Sequence, residues 1–409
     1  MNLDRQTIHQ KLHVILSLCI AFFLPIARLV PIFIALMLLN WLVEGDFKNK
    51  FQAIIRNKYA LLFIAFYLVH LVGLTYTNNI NSGSFDLQVK FSLIVFPLIL
   101  SSKPFSVKEK TNIFYALIAG CIASMIIMFA RATYLYFSIG ENDFFYENLS
   151  SYLIHPSYFS MYLNFAIAWL TINVSLNNFE GKRFSNGIAV LIIVLFSGMI
   201  LMLSSKLGII TMVLLYVGLI IYYIIHKRKY IIGLVGLGII AISIFVVMNY
   251  VPAISDRINR ALDAVTNANP NETEVESTAV RLLVWKAATQ VISDNLIIGT
   301  GTGDAKDELM AEYKSRGMTG ALAHELNAHN EFLQVFVSLG IIGFVLLLGN
   351  LYFPLFFAFK EGNIIYLLFL LIVSLNFLTE SMFETQAGVM FYAFFNSLLC
   401  FHKSHNSQS

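Results

Sequence analysis

Four cations stand at unusual places in this chain. Arg28, Lys90, Arg131 and Lys206 lie at or just inside the ends of long apolar runs, and His329 opens another such run after a polar stretch. A cation at the centre of a bilayer costs about 2.5–3.5 kcal/mol, so charges placed this way are either drawn back to the headgroups by their long stems or retained for a ligand. An arginine clamps two phosphate oxygens at once, a lysine acts as a point charge, and an imidazole exchanges protons near neutral pH. Taken one at a time, each cation reads equally as snorkelling and the histidine as structural. Taken together they suggest an anion-binding cavity at the membrane surface beside a general base. The anion met at that depth is the phosphate or diphosphate head of a lipid, which points to a transferase acting on a lipid-diphosphate donor.

Other polar groups gather on the same side. His155-Pro156-Ser157-Tyr158 sits near the start of an apolar run, either as an interfacial aromatic belt behind a helix-opening proline or as part of a donor pocket. Glu380, Glu384 and Gln386 fall in a short loop, where they serve as plain surface polarity or balance the cations and orient an acceptor sugar. Gly299-Thr300-Gly301-Thr302-Gly303-Asp304 lacks the spacing and the Lys-Ser/Thr ending of a nucleotide loop, so it reads as a turn. Cys19, Cys121 and Cys400 all lie in apolar stretches, with no CxxC pair to hold a metal or a disulfide framework. No HExxH or DxD signature is present.

These residues need elements to position them, and composition says which. Of 409 residues 58% are hydrophobic and 12% charged, against about 25% charged in soluble domains, so much of the surface must face lipid. The net charge of +3 is too small and dispersed for nucleic acid. Spanning helices need about 20 apolar residues, and that rule predicts an all-α polytopic protein with twelve spans at roughly 13–27, 29–43, 59–75, 88–101, 111–138, 151–175, 187–203, 206–225, 230–250, 330–358, 363–379 and 386–401. Most of the 27 Lys and Arg fall in alternate short loops, which places both termini in the cytoplasm.

Residues 251–328 form one large periplasmic loop, dividing the chain into spans one to nine (1–250), the loop (251–328), and spans ten to twelve with a tail (329–409). Apolar periodicity at Val280, Leu283, Val284, Ala287, Ala288, Val291 and Ile292 predicts an amphipathic helix over about 278–293, with another near 304–316.

Three stretches resemble the O-antigen ligase and polymerase superfamily of bacterial membrane proteins. They are Leu203-Ser204-Ser205-Lys206-Leu207-Gly208; Arg281-Leu282-Leu283-Val284-Trp285-Lys286-Ala287-Ala288 running into Asn295-Leu296-Ile297-Ile298-Gly299-Thr300-Gly301; and His329-Asn330-Glu331-Phe332-Leu333-Gln334 with Gly340 and Gly343. The resemblance implies transfer of a glycan from undecaprenyl diphosphate, at the periplasmic face of the inner membrane, to the lipid A core (ligase) or to another glycan (polymerase), with no nucleotide, metal or other cofactor.

Carried over by position, Arg281 matches the large-loop arginine and His329 the histidine opening the next span. Lys206 falls where the family commonly has arginine after serine, keeping the charge but losing the fork. The expected mechanism has His329 accept the acceptor's proton while Arg281 and Lys206 stabilise the departing diphosphate. Arg131, Lys90 and Arg28 hold the donor head, and His155, Tyr158, Glu380 and Glu384 line the substrate pocket. A transporter with twelve spans is the rival from another class, but carriers place ionisable groups near the midplane, whereas these collect at one face.

Overall fold

The computed structural model describes residues 5–176, 186–227 and 278–401, with the single positions 230, 238, 249, 256 and 259. Among the described residues every regular element is a helix. The protein is an all-helical, polytopic membrane protein. In chain order the helices are α1 (Arg5–Phe23), α2 (Val30–Glu44), α3 (Phe47–Arg56), α4 (Lys58–Gly73), α5 (Ile80–Lys90), α6 (Ser92–Ser102), α7 (Val107–Ile139), α8 (Tyr146–Ser150) and α9 (Pro156–Leu176). They continue with α10 (Asn186–Leu203), α11 (Lys206–Lys227), α12 (Thr278–Asp294), α13 (Ala305–Ser315), α14 (Thr319–Ala323), α15 (Glu331–Lys360), α16 (Ile364–Phe377) and α17 (Gln386–Cys400).

Eleven of the twelve expected spans fall on these helices, and the ninth, 230–250, lies outside the described residues except for positions 230, 238 and 249. Among the described residues, seven segments are long and apolar enough to cross a bilayer, the α1–α2 pair counting as one, and α11, α16 and α17 are shorter apolar helices. One expected boundary moves. The fourth span begins not near residue 88 but at Ile80, as α5 and α6 separated at Phe91. The polar residues of α5 (Asn81, Ser82, Ser84, Asp86, Gln88, Lys90) conceal it from a hydropathy reading.

Over the described residues the chain forms two compact units. One runs up to Ala123 and resumes at Val280, and the other extends from Ser124 to Ala279. These units follow spatial contacts rather than the order of spans along the chain.

In the first unit α4 packs on α15 and α6, and α17 packs on α6. Buried polar groups tie these helices where apolar contact with lipid would compete: Tyr366 Oη donates to Asn396 at 2.7 Å, Asn396 Nδ2 to Tyr392 Oη at 3.1 Å, and Tyr392 Oη to the Asn350 carbonyl at 3.1 Å. The two expected loop helices are α12 and α13. The apolar stripe of α12 (Val280, Val284, Ala287, Ala288, Val291) is buried with Leu309 and Tyr313 of α13 and Val337 of α15. Burial among these side chains pushes the Tyr313 phenol above its ordinary range.

The glycine-rich turn between α12 and α13 is a strap. Gly340, with φ +60° and ψ −157°, interrupts α15 and frees backbone groups that the strap satisfies. The Thr300 and Gly301 amides donate to the Val337 and Ser338 carbonyls at 2.9 Å each, and the Ile341 amide donates to the Leu296 carbonyl at 3.0 Å. A broken helix is tolerated in an apolar setting when its freed groups find such partners.

The strap's far end is held by α4 and the turn after it. Thr302 Oγ1 donates to the His70 carbonyl at 2.6 Å, and the Asp304 carboxylate accepts from the Asn78 and Asn79 amides at 2.7 Å each. Burial alone would raise the Asp304 pKa, but these hydrogen bonds outweigh it and hold the carboxyl below the usual carboxylate range. A depressed folded-state pKa means that this contribution is fully present above the unfolded value of about 3.9 and is lost as the pH falls through the folded value. Amide hydrogen exchange at Asn78 and Asn79 is therefore expected to keep its protection through the usual carboxylate range and to lose it only at more acid pH. In Asp304→Asn the protection is expected to be weak already at neutral pH, with little further pH dependence. Unchanged protection in that variant would remove the carboxylate from the anchor.

In the second unit α9 packs with α10 and α11. Gly208 permits the closest approach, since a Cβ there would lie 2.5 Å from Ser160 Cβ, and the Gly208 carbonyl accepts from Asn164 Nδ2 at 3.0 Å. Ser205 Oγ accepts from the Gly208 amide at 3.2 Å, capping the start of α11. The Ser-Ser-Lys-Leu-Gly run is thus the turn that sets Lys206 at the first position of α11.

Candidate functional site

The run His329-Asn330-Glu331-Phe332-Leu333-Gln334 reads, residue by residue, as a device for presenting one imidazole. Asn330 caps α15, its Oδ1 accepting from the Leu333 amide at 3.0 Å, while its own amide donates to Ser381 Oγ at 3.2 Å and its Nδ2 to the Leu378 carbonyl at 3.0 Å. Glu331, fully buried, accepts from the Phe383 amide at 2.8 Å. Gln334 reaches back to accept from the Ala328 amide at 3.0 Å. Asn330 and Glu331 therefore stitch the start of α15 to the 378–384 turn, while Gln334 holds the residue before His329. Between them His329 adopts a left-handed backbone, φ +44°, rare for a residue with a Cβ and often kept where a side chain must be aimed.

The stitching brings His329 to Glu380. Its Nδ1 lies 4.0 Å from Glu380 Oε2, beyond hydrogen bonding but within ion-pair reach. Glu380 Oε1 lies 3.4 Å from Arg281 Nη2, so one carboxylate stands between the imidazole and the guanidinium. Glu380 has a side chain 12% exposed, while those of His329 and Arg281 are 27% and 34% exposed. A carboxylate facing Nδ1 favours the tautomer with its proton there, leaving the Nε2 lone pair as a base. Arg281 meets Glu380 through one long contact, which leaves most of its five N–H donors for an anion.

Lys90 is held differently from the sequence expectation. It does not open a span but closes α5, and it is 2% exposed. Its ammonium sits between Asp86, one turn earlier, and Glu384 at 3.0 Å. Two carboxylates already meet its charge, which makes it a support for them and a poor ligand for a diphosphate. Asp86 is not among the residues singled out from the sequence; its four-residue spacing to Lys90 on one helix was the available signal. Arg28 is exposed in the turn Leu24–Leu29 between α1 and α2.

The remaining expected residues belong to the second unit. Lys206 is partly buried at the start of α11. Arg131 donates to Asp143 Oδ2 and to the Asn148 carbonyl, both at 3.2 Å, with its guanidinium 4.6 Å over the Tyr152 ring. His155 is exposed and pairs with Glu147 at 3.3 Å, and Tyr158, 6.0 Å from the His155 ring, is buried. Each unit thus presents its own subset. His329, Arg281 and Glu380 come together in the first unit, as do Lys90 and Glu384, and Arg131 with its acidic partner forms a separate group in the second.

Residues 191–348 match the family model described as O-Antigen ligase. Over that stretch the chain is similar to the O-antigen ligase family. The match takes in Lys206, Arg281, His329, the strap and Gly340, whereas Glu380 lies beyond its end. A Haemophilus influenzae protein described as an uncharacterized protein is 25% identical over 326 residues, covering 76% of this chain and 77% of that one. Superfamily members are glycosyltransferase-like enzymes acting on lipid-linked glycans in a membrane, and the partly exposed base and guanidinium are suited to that class of reaction.

Proposed function

We propose that this protein moves a glycan from undecaprenyl diphosphate to the lipid A core at the periplasmic face of the bacterial inner membrane. The observation that carries the reading is the pairing of His329 and Arg281 through Glu380, inside and beside the matched family stretch. His329 Nε2 takes the proton of the acceptor hydroxyl as that oxygen bonds to the anomeric carbon. The bond from that carbon to the diphosphate oxygen breaks, its electron pair leaves with the polyprenyl diphosphate, and Arg281 stabilises the charge that develops there. The proton then passes from the imidazole to the released diphosphate or to water. Lys206, Arg131 and Arg28 are proposed as further contacts of the donor head from their positions in the sequence, with His155 and Tyr158 beside them. Both termini are read as cytoplasmic from the loop cations.

The glycolipid profile of a deletion strain tests this. A lipid A core devoid of attached polymer is the expected result. A core bearing a single repeat unit would make the acceptor another glycan and the protein a polymerase using the same donor head. An unchanged profile, together with no transfer by the purified protein in liposomes, would overturn the reading.

A further inference from the structure

A cavity of about 210 Å³ lies in the first unit between α5, the strap and the first turns of α15. Asp86, Lys90 and Glu384 line it together with Gln334, Lys306 and Phe85. Its volume is below the roughly 300–1,000 Å³ of drug-sized pockets, so it accommodates one small ring rather than an extended chain. Gln334 also accepts from the Ala328 amide, one residue before His329, which ties this wall to the candidate base.

The lining decides what chemistry fits. Lys90 is buried between the two carboxyl groups, so its charge is met inside the wall and not offered to a ligand. Carboxyl oxygens accept hydrogen bonds from hydroxyl groups, which suits a hydroxylated ligand better than a phosphate. Gln334 and Lys306 also line it, the lysine 51% exposed and paired with Glu325. Phe85, which also lines the cavity, is 66% exposed. An aromatic face beside paired carboxylates and scattered donors matches a pyranose: a ring with an apolar face of C–H groups and a girdle of hydroxyls.

We propose that this cavity binds a single sugar ring of the transferred or accepting glycan, with Phe85 as its platform and Asp86 and Glu384 as hydroxyl acceptors. The proposal rests on the glycan-transfer reading above for the class of ligand, and names a subsite for it distinct from the diphosphate contacts.

Saturation-transfer NMR on the full-length protein in detergent tests it, with two probes: the oligosaccharide released from the lipid-linked donor and that released from the lipid A core. One of them is expected to bind the wild type, and its affinity to fall at least tenfold in Phe85→Ala, which removes a ring that is 66% exposed. Ser82→Leu, which fills the cavity from α5, should produce the same loss by a different route. Binding by neither oligosaccharide, or wild-type affinity in both variants, would overturn the subsite. A glycan that binds here without any transfer by the purified protein would instead sink the transfer reading. Transfer with wild-type KM in Phe85→Ala would sink the subsite and leave the reaction standing.

Discussion

His329→Ala is expected to lower glycan transfer by about 10²–10⁴-fold, the range in which a positioned general base contributes. The imidazole is held by a left-handed backbone and faces Glu380, with its side chain 27% exposed. Alanine removes the base while leaving the Asn330 cap, the Glu331 contact and the Gln334 contact in place, so the protein should still insert and fold. The loss should appear in kcat with KM little changed, and the acid limb of the wild-type pH–rate profile should disappear. Arg281→Ala is expected to cost about 10²–10³-fold, as loss of a group opposing transition-state charge does. Arg281→Lys should recover part of it, since charge returns but the fork does not. Glu380→Gln should fall between wild type and His329→Ala, because it keeps the shape of the contact and loses the charge that orients both partners. Full activity in His329→Ala or Arg281→Ala, measured with the lipid-linked donor in liposomes, would remove that residue from the reaction.

Gly340→Ala is expected to disable the protein through its scaffold. The backbone there occupies a region open essentially to glycine alone, where another residue costs on the order of 1–3 kcal/mol. A Cβ at Gly340 would also lie 2.4 Å from the Ile297 carbonyl oxygen, and backbone cannot swing aside as a side-chain tip can. Crowding of this kind costs about 1–3 kcal/mol more. The strap should then leave α15, exposing 295–304 to protease and lowering the thermal midpoint in detergent. Gly299→Ala should do the same from the other side, since its Cβ would meet three α15 backbone atoms at 2.5 Å. Gly198→Ala is the contrasting case. That glycine lies inside α10 with nothing within 4 Å of its Cβ position, and alanine there should be neutral or stabilising by up to about 1 kcal/mol. If Gly340→Ala melts like the wild type with the strap protected, the break in α15 is not what holds the loop.

Much of this architecture is legible in the chain because the signals are local. Apolar length marks the spans from α1 to α17, and the stripe from Val280 to Ile292 marks α12 to within a residue at either end. The Gly299–Gly303 run is correctly a turn rather than a nucleotide loop, but its pairing with a broken α15 is not readable, because Gly340 announces only that a special backbone is possible. Segment α5 escaped because its polar residues lower its hydropathy, and the pairing of Asp86 and Lys90 with each other and of Lys90 with distant Glu384 is not visible along the chain.

What the sequence by itself determined is an all-helical membrane chain, a polar excursion carrying two amphipathic helices, and the residue types fit for proton and anion chemistry. Periodicity and hydropathy are set by neighbours along the chain, so a single strand of residues suffices to read them. What only the tertiary structure decided is which charges meet. Glu380 reaches Arg281 across 99 residues, and Glu384 reaches Lys90 across 294. The first carboxylate leaves its cation partly exposed beside a base, and the second helps to neutralise its cation in the interior. Two cations that look alike in sequence therefore differ in chemistry, because the availability of a charge depends on burial and on partners that folding alone supplies.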